Sequence, residues 1–280
     1  MDLYCVMGNP VEHSKSPWIH ARFAELTGQT LQYGKRLIAL DGFAPALHDF
    51  IVEGGLGCNV TVPFKFEAAA LATHSSERAA LAQACNVLSF RDGAIFADNS
   101  DGIGLVNDIQ HNAGLDLSGR SLLLIGAGGA AAGVLGPLLQ ARPASITVAN
   151  RTPGKAATLV ARHAALAVLQ KTELLAHDLQ GLTGSFDLVI NASASSLSGA
   201  GVPVAASTLK RGALACDLMY GPAAQGFLSW ARAHGATPRD GLGMLVEQAA
   251  EAFLIWRGIR PPAQQVLAEL RAVLGERSSA

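Results

Sequence analysis

The chain has 280 residues, of which 50% are apolar and 15% are charged, and its formal net charge is −1. This length and apolar content predict a large buried core, in one large or two smaller domains. The near-neutral charge argues against a nucleic-acid-binding protein, which would carry a basic excess. The four cysteines are scattered without a Cys-x-x-Cys pair, which argues against a disulfide framework or a zinc site. The first residues show no basic stretch followed by an apolar run, so we expect a cytoplasmic protein.

Strand and helix signals alternate over the first hundred residues and predict an α/β domain with a mostly parallel sheet. The predicted strands are 3–8, 31–40, 57–62 and a hairpin of 86–90 with 94–97, and the predicted helices are 17–26, 43–52, 66–72 and 77–83. Ser16 is the predicted N-cap of the first helix, with Pro17 at its first position.

A predicted helix at 102–111 leads into a second α/β unit. Its predicted strands are 122–125, 146–150, 186–191 and 213–218 with a weak strand near residue 167, and its predicted helices are 130–140 and 154–162. Two tail helices, 244–256 and 262–274, have no strand after them, so we expect them to cross back to the first domain. The predicted domains are a discontinuous substrate domain, 1–101 with 241–280, and a Rossmann-like domain, 102–240.

The uncharged stretch from Ser121 to Ala141 is long enough to span a membrane, but it is interrupted by five glycines. A short apolar strand, then Gly-Ala-Gly-Gly, then a helix give the pattern G-x-G-x-x-A at Gly126, Gly128 and Ala131. Gly126 allows a tight turn, Gly128 lets a pyrophosphate approach the backbone, and the helix N-terminus offers N–H groups. Purely structural α/β units also contain such turns, so the pattern alone leaves both interpretations open.

The end of the next predicted strand favours NADP over NAD. Enzymes that use NAD usually carry an acidic residue about 20 residues after the glycines, which would repel a 2′-phosphate. This chain has Asn150, Arg151 and Thr152 at that strand end, with Lys155 close behind. A charge-assisted hydrogen bond is worth about 1.5–3 kcal/mol, so Arg151 alone would favour NADP about ten- to a hundredfold. The basic strand end also argues against an S-adenosylmethionine site.

Polar clusters follow the strands of the first domain. Ser14 and Ser16 lie on a loop that leads into a helix, which suits either a carboxylate site or simple helix capping. Asn59 and Thr61 are two residues apart in a strand, so their side chains point to the same face. Lys65 follows on the turn. Open α/β sheets bind ligands at the carboxyl ends of their strands, which makes these residues candidates for a substrate site.

A second charged residue, Asp101, stands in the segment Asp-Asn-Ser-Asp-Gly after another predicted strand. It either caps the next helix or faces Lys65. Desolvation and the neighbouring charge would tune such a pair for acid–base work near neutral pH, in a direction that the sequence does not decide.

Seven segments in order, covering nearly the whole chain, resemble the shikimate dehydrogenase family: GNPVEHSKSPWIH, NVTVPFK, DNSDGIG, GAGGAAAG, NRT, DLMYGP and DGLGMLVEQAAEAF. The resemblance implies an N-terminal α/β/α substrate domain and a Rossmann-like NADP-binding domain. It implies reversible, NADP-dependent reduction of 3-dehydroshikimate to shikimate, on the route to chorismate and the aromatic amino acids. We therefore expect a small-molecule substrate, no metal, no nucleic acid, no membrane, and a monomer or homodimer.

The resemblance also implies residue roles. Lys65 and Asp101 would be the catalytic acid–base pair. The substrate-binding residues would be Ser14 and Ser16 for the carboxylate, with Tyr220 near it, and Asn59, Thr61, Asn86 and Gln248 for the ring. The cofactor-binding residues would be Gly126, Ala127, Gly128, Gly129, Ala130, Asn150, Arg151, Thr152, Lys155, Gly241 and Met244.

Several residues depart from the usual pattern of the family. They are Gln83, Cys85, Ala132, which replaces a frequent arginine, and Gln225. They leave open a paralogue that acts on quinate, although the catabolic type often accepts NAD, against which Asn150 and Arg151 argue. A third alternative, from another class, is a non-catalytic NADP-binding regulator on the same fold. Such a protein should have lost Lys65 or Asp101.

Overall fold

The computed structural model describes residues 1–193 and 201–275 and divides the chain into two compact units. Unit 1 consists of Met1–Asn107 and Leu245–Ala280, and unit 2 consists of Asp108–Met244. The domain boundaries predicted from the sequence, at 101/102 and 240/241, differ by a few residues from the boundaries of these units. The division into functional domains stays a prediction.

Unit 1 is built on a mixed six-stranded sheet with the order β2-β1-β3-β5-β6-β4. The strands are β1 (Asp2–Gly8), β2 (Leu31–Leu37), β3 (Gly55–Val60), β4 (His74–Ser75), β5 (Val87–Arg91) and β6 (Ala94–Asp98). Strand β1 pairs in parallel with β2 and β3, and β4 with β6, whereas β5 runs antiparallel to both of its neighbours. The β5–β6 pair is the predicted hairpin.

Helices of unit 1 cover this sheet and bury its apolar faces. They are α1 (Ser16–Thr27), α2 (Phe43–Val52), α3 (Lys65–Leu71), α4 (Glu77–Ala82) and α5 (Asp101–Asn107), followed late in the chain by α9 (Leu242–Arg257, within unit 1 from Leu245) and α10 (Ala263–Val273). The N-cap of α1 is Lys15, without a side-chain cap hydrogen bond, so the predicted capping role of Ser16 is wrong. Ser16 is instead a buried residue of the first turn.

A cluster of aromatic rings joins α1, β2 and α9 inside unit 1. The His20 ring lies flat on Tyr33, with 4.2 Å between the ring centroids and 5° between the planes, and contacts Phe253 and Trp256. Trp256 stacks on Tyr4 and donates a hydrogen bond from Nε1 to the carbonyl of Leu88 at 3.1 Å. These contacts pack the tail helix α9 against the sheet of unit 1.

Unit 2 has an entirely parallel six-stranded sheet with the order β12-β11-β10-β7-β8-β9. Its strands are β7 (Ser121–Ile125), β8 (Ser145–Asn150), β9 (Glu173–Asp178), β10 (Phe186–Asn191), β11 (Leu209–Asp217) and β12 (Thr237–Arg239). Its α-helices are α6 (Gly129–Gln140), α7 (Pro153–Gln170) and α8 (Gln225–Ala233), and a π-helix spans Asp108–Asn112. Residues 122–125 of β7 are all fully buried, because helices cover both faces of a parallel sheet.

The order of the strands reverses between β7 and β10. In open α/β sheets, ligands bind outside the carboxyl ends of the strands at such a switch point. The glycine turn at Gly126 follows β7 directly and therefore lies at this position.

The weak strand predicted near residue 167 is wrong, because Ala167 lies within α7. Leu159, His163 and Ala167 are spaced four residues apart and are buried on one face of the helix. The strand begins later, at Glu173. Three further elements, β4, α8 and β12, are not predicted from the sequence, and the predicted helix at 102–111 is α5 followed by the π-helix. Among the described residues, no helix is long and apolar enough to cross a membrane.

We predict that His20 makes unit 1 sensitive to acid. Burial lowers the pKa of His20 from 6.5 to about 3, so between these values the unfolded chain binds a proton that the folded chain excludes. The free energy of unfolding should therefore fall as the pH drops from 6.5 toward 3, by at most about 1.4 kcal/mol per pH unit from this group.

The variant His20→Phe removes this group and should reduce the slope of melting temperature against pH over that range. Thermal melts between pH 4 and pH 8 measure it, and His74→Phe, at an exposed histidine of the same unit, is the matched control. Equal slopes in wild type and His20→Phe would contradict the prediction.

Candidate active site

Lys65 and Asp101 form an ion pair in unit 1. Lys65 is the first residue of α3 and Asp101 the first residue of α5, and Lys65 Nζ donates a hydrogen bond to Asp101 Oδ2. Their side chains are only 13% and 7% exposed. The structure thus brings together two oppositely charged groups that lie 36 residues apart in the chain.

The amide of Asn86 binds the second carboxylate oxygen of Asp101. Asn86 Nδ2 donates to Asp101 Oδ1 at 2.8 Å, to Gln248 Oε1 at 3.0 Å and to Ser100 Oγ at 3.0 Å. Asn86 Oδ1 accepts from the backbone N–H of Ser100 at 2.8 Å. Asn86 is 3% exposed and protein groups occupy both ends of its amide, so it orients Asp101 and Gln248.

Asn59 lies beside this network at the end of β3. Its Nδ2 donates to the carbonyl of Asn86 at 3.0 Å, and its Oδ1 accepts from the hydroxyl of Tyr33 at 2.6 Å. Gln248, on α9, donates from Nε2 to the carbonyl of Leu245 at 2.9 Å. The chain from Tyr33 through Asn59 and Asn86 to Asp101 is continuous within unit 1.

A hydrogen bond within the predicted carboxylate loop joins Ser14 and Ser16. Ser14 Oγ accepts a hydrogen bond from the backbone N–H of Ser16 at 3.2 Å. The Ser16 side chain lies close enough to the Tyr33 phenol to lower its pKa, against the larger rise that burial causes. Thr61 directly follows β3, and its methyl group packs so closely on Gly8 that a Cβ at Gly8 would lie 2.2 Å from it.

The structure shows the conformation or burial of three residues that depart from the family pattern. Gln83 ends α4 with a φ of 51°, a left-handed conformation that favours glycine. Cys85 is fully buried, and its N–H donates to the carbonyl of Lys65 at 3.0 Å. Burial raises the pKa of the Cys85 thiol to about 12, so Cys85 packs as an inert apolar side chain beside Lys65. Ala132 is buried within α6.

The glycine turn of unit 2 fits a dinucleotide. Gly126 has a φ of 114°, and a Cβ there would meet the carbonyl group of Ala192 at 3.0 Å. Gly128 is extended, and a Cβ there would point into open space. Gly129 begins α6 and Ala130 follows, so the unpaired N–H groups of the first turn are available to a phosphate, with Ala127 in the turn itself.

The predicted 2′-phosphate residues lie where the sequence places them, at the end of β8 and the start of α7. Asn150 Nδ2 donates to the carbonyl of Thr152 at 2.9 Å, which folds the connection between strand and helix. Thr152 is the N-cap of α7 without a side-chain cap bond. Arg151 and Lys155 are both exposed. Two cations therefore stand beside a helix N-terminus, which suits a phosphate.

Gly241 and Met244, predicted to line the nicotinamide pocket, lie near the end of unit 2. The N–H of Gly241 donates to the carbonyl of Met219 at 2.8 Å, and a Cβ at Gly241 would lie 2.2 Å from the carbonyl oxygen of Leu218. Gly241 therefore permits a close backbone contact that a side chain would prevent. Met244 is buried, and Tyr220, in the same unit, is half-buried.

Three features of the site in unit 1 are not predicted from the sequence. Tyr33 and His20 lie in segments that are predicted only as a strand and a helix, and nothing in the sequence marks Tyr33 as a polar partner of Asn59 or His20 as the ring that stacks on Tyr33. Arg78 binds Asp98 through Nε at 2.5 Å and Nη2 at 2.9 Å, and also pairs with Glu251. This ion pair fixes the end of β6, three residues before Asp101. Among the described residues no group of His, Cys, Asp and Glu could hold a metal ion.

Comparisons with known proteins agree with this arrangement. The family model of the shikimate dehydrogenase substrate binding domain matches residues 6–88, that of shikimate / quinate 5-dehydrogenase matches 108–202, and that of the shikimate 5′-dehydrogenase C-terminal domain matches 241–271. A protein of Acidovorax sp. (strain JS42) named shikimate dehydrogenase (NADP(+)) is 67% identical, over 98% of this chain and 97% of its own length.

Two solved structures are also similar. The Ael1 enzyme from Pseudomonas putida is 46% identical with a TM-score of 0.87, over 96% of this chain and 98% of that chain. Shikimate 5-dehydrogenase from Thermus thermophilus, in complex with NADP(H) and shikimate, is 29% identical with a TM-score of 0.83, over 97% and 99% of the two chains.

The fold and the site define an α/β protein with a buried lysine–aspartate ion pair in one unit and a glycine-rich strand–helix turn in the other. The chain belongs to the shikimate dehydrogenase family. The predicted family, fold class and enzyme class are thereby confirmed. The names of the curated relatives agree with NADP as the predicted cofactor.

We predict that a side chain at position 128 blocks the cofactor without unfolding the protein. In Gly128→Val the new side chain would enter open space and tolerate the extended backbone, but it would occupy the region that a pyrophosphate needs. The dissociation constant for NADPH should rise at least about tenfold, a loss of about 1.4 kcal/mol, with little change in melting temperature.

Fluorescence titration with NADPH and thermal melts test this prediction. Gly226→Ala, at a glycine of α8 where a Cβ also meets nothing, is the control and should bind NADPH as wild type does. Wild-type affinity in Gly128→Val would place the pyrophosphate elsewhere.

Proposed function

We propose that the protein is an NADP-dependent shikimate dehydrogenase that reversibly reduces 3-dehydroshikimate to shikimate, on the biosynthetic route to chorismate. The observation that carries this proposal is the buried Lys65–Asp101 pair within the amide network of Asn86 and Gln248. Relatives at 65–67% identity over nearly the full chain are named shikimate dehydrogenase (NADP(+)).

Lys65 and Asp101 carry the proton of the reaction. Reduction of a carbonyl to an alcohol adds one hydride to carbon and one proton to oxygen, and the dinucleotide, when bound, supplies the hydride. Lys65 Nζ holds a proton that it donates to the carbonyl oxygen, and its ammonium group stabilises the negative charge that develops there. Asp101, fixed by Asn86, holds Lys65 in place, and in the reverse direction the pair accepts the proton of the hydroxyl.

The site offers hydrogen-bond donors to a substrate rich in oxygen atoms. Within residues 1–193 and 201–275, the hydrogen bonds of Asn59 Nδ2 and Gln248 Nε2 use one hydrogen each and leave a second one on each amide. Lys65 Nζ has two further hydrogens after its bond to Asp101. We assign these donors to the ring hydroxyls, together with the hydroxyl of Thr61, and we assign the substrate carboxylate to Ser14, Ser16 and Tyr220.

Asn86 has a different role in this proposal. Its amide is already bound by protein groups, so it acts mainly by aligning Asp101 and Gln248. Removing it would leave Asp101 Oδ1 without this donor, at a cost of about 1–3 kcal/mol, whereas Gln248 Oε1 would keep the hydroxyl of Ser100 at 3.3 Å.

Residues of unit 2 hold the cofactor. The turn from Gly126 to Ala130 takes the pyrophosphate, and Arg151 takes the 2′-phosphate with the help of Asn150, Thr152 and Lys155. Gly241 and Met244 line the place of the nicotinamide. We place the reaction in the cytoplasm, because all four cysteines are unpaired and buried, as is usual in a reducing compartment. A monomer or homodimer remains our prediction for the assembly.

Two other functions are weaker fits. A catabolic quinate dehydrogenase of this family would often carry an acidic residue at the end of β8, where this chain has Asn150 and Arg151. A non-catalytic NADP-binding regulator would have no need to keep Lys65 and Asp101, which here form a buried pair.

Steady-state rates with shikimate and quinate, each with NADP⁺ and NAD⁺, test the proposed function. We expect the highest kcat/KM with shikimate and NADP⁺, and a preference for NADP⁺ of at least about tenfold, since Arg151 supplies a charge-assisted contact. A preference for quinate with NAD⁺ would favour the catabolic type. No turnover with any pair, in protein that binds NADPH, would favour the regulator.

We predict that Lys65→Met abolishes most of the turnover without loss of the cofactor. Met keeps the length and apolar stem of the side chain but carries no proton, so kcat for shikimate should fall at least about a hundredfold. The dissociation constant for NADPH should stay within about twofold of wild type, since a tenfold change would need about 1.4 kcal/mol.

Lys171→Met, at an exposed lysine of unit 2, is the matched control and should keep the wild-type rate. A normal kcat in Lys65→Met would remove Lys65 from the mechanism.

A further inference from the structure

Asn59 is held at both ends of its amide by protein groups. The hydroxyl of Tyr33, on the edge strand β2, donates to Asn59 Oδ1 at 2.6 Å, while Asn59 Nδ2 donates to the carbonyl of Asn86 at 3.0 Å. A carbonyl oxygen only accepts, so Asn59 must present its NH₂ group to Asn86. The Tyr33 hydroxyl then satisfies the opposite end and prevents the amide from turning about its last side-chain bond.

We propose that Tyr33 is a positioning residue for the substrate: its hydroxyl fixes the Asn59 amide so that the second N–H of Asn59 serves as a donor to a ring hydroxyl. This inference rests on the proposed function, because it specifies how unit 1 recognises a polyhydroxy ring acid.

Tyr33 is suited to act as a permanent donor. The residue is half-buried, and burial of its phenol raises the pKa of that group well above the usual value of 10. The phenol therefore keeps its proton near neutral pH. A buried hydroxyl of this kind donates to Asn59 without competition from bulk water.

The Tyr33 ring is itself held firmly in place. His20 covers one face of the ring at 4.2 Å between centroids, and Trp256 lies at 6.3 Å. Burial keeps His20 neutral, with a pKa of about 3, and neither of its ring nitrogens makes a hydrogen bond among the described residues. His20 therefore supports the ring by contact alone and leaves the phenol to its polar partners.

Tyr33 also connects two parts of the proposed substrate site. Its hydroxyl donates to Asn59, on the ring side, and lies close enough to the side chain of Ser16, on the carboxylate loop, for Ser16 to lower the pKa of the phenol. Within the described part of unit 1, Tyr33 makes no hydrogen bond with Lys65 or Asp101. Loss of the hydroxyl should consequently weaken substrate binding and leave the proton-transfer step nearly intact.

Tyr33→Phe tests this inference, because it removes only the hydroxyl and keeps the stacked ring. We expect KM for shikimate to rise about tenfold, the size of one lost hydrogen bond of about 1.4 kcal/mol, with kcat within about threefold and KM for NADP⁺ unchanged. Tyr4→Phe is the matched control: it removes a hydroxyl from the neighbouring strand β1 and the same aromatic cluster, and should leave KM for shikimate unchanged.

A double-mutant cycle with Asn59→Ala shows whether Tyr33 acts through Asn59. If it does, the double variant should have nearly the same KM for shikimate as Asn59→Ala alone, because the hydroxyl then has no amide to orient. Losses that multiply, an unchanged KM in Tyr33→Phe, or equal effects in Tyr33→Phe and Tyr4→Phe would each overturn the inference.

A measurement on the unaltered chain covers the case that Tyr33→Phe does not fold. In protein labelled with ¹⁵N-asparagine, the Asn59 side-chain signal is assigned by its absence in Asn59→Ala. Shikimate should shift one amide proton of Asn59 more strongly than the other, and two unshifted protons would overturn the inference. If wild type turns over shikimate and these tests fail, only the role of Tyr33 is wrong, whereas no turnover or binding of shikimate by wild type would overturn the proposed function itself.

Discussion

The buried ion pair of Lys65 and Asp101 is the constraint on which the rest of unit 1 depends. Two charges at 13% and 7% exposure lose much of their hydration, and their attraction offsets that loss only if their remaining polar atoms are hydrogen-bonded. Asn86 supplies the bond to the second carboxylate oxygen at 2.8 Å. In the proposed mechanism this ion pair transfers the proton, and the environment that desolvates it also excludes competing water.

The fold brings this network together through close contacts of the backbone. Asn86 precedes β5, Asp101 follows β6, and the two strands form an antiparallel hairpin that sets their side chains next to each other. Gln248 arrives from α9, where its backbone packs on α5 so tightly that a Cβ at Gly104 would lie 2.6 Å from the nitrogen of Gln248. The site therefore needs a small residue at position 104 as much as it needs its polar side chains.

The two units differ in how much of the site the sequence predicts. In unit 2 the proposed cofactor residues lie close together in the sequence. The glycine turn follows its strand directly and Arg151 follows the next strand, so hydrophobic periodicity and the glycine motif suffice to locate them in the fold. In unit 1 the network joins positions that are far apart, such as Asn86 and Gln248, which are separated by 162 residues. No spacing rule relates such positions, and only the motifs of the family brought them together as candidates.

Tyr33 and His20 were missed for a related reason. A tyrosine in an edge strand and a histidine in an amphipathic helix are ordinary residues of those elements, and their contact across 13 positions is created by packing. The strand wrongly predicted near residue 167 shows the opposite error. Around residue 167 a run of alanine and leucine residues continues α7, whose buried residues are four positions apart. A short apolar run does not by itself show whether a segment is a strand or a helix.

The most direct test of this account is a crystal structure of the protein with shikimate and NADP⁺ bound together. We predict that the reacting hydroxyl oxygen of shikimate lies about 3 Å from Lys65 Nζ, within hydrogen-bond reach, with Asp101 still bound by Asn86. A complex in which that oxygen meets neither Lys65 nor Asp101 would contradict the account.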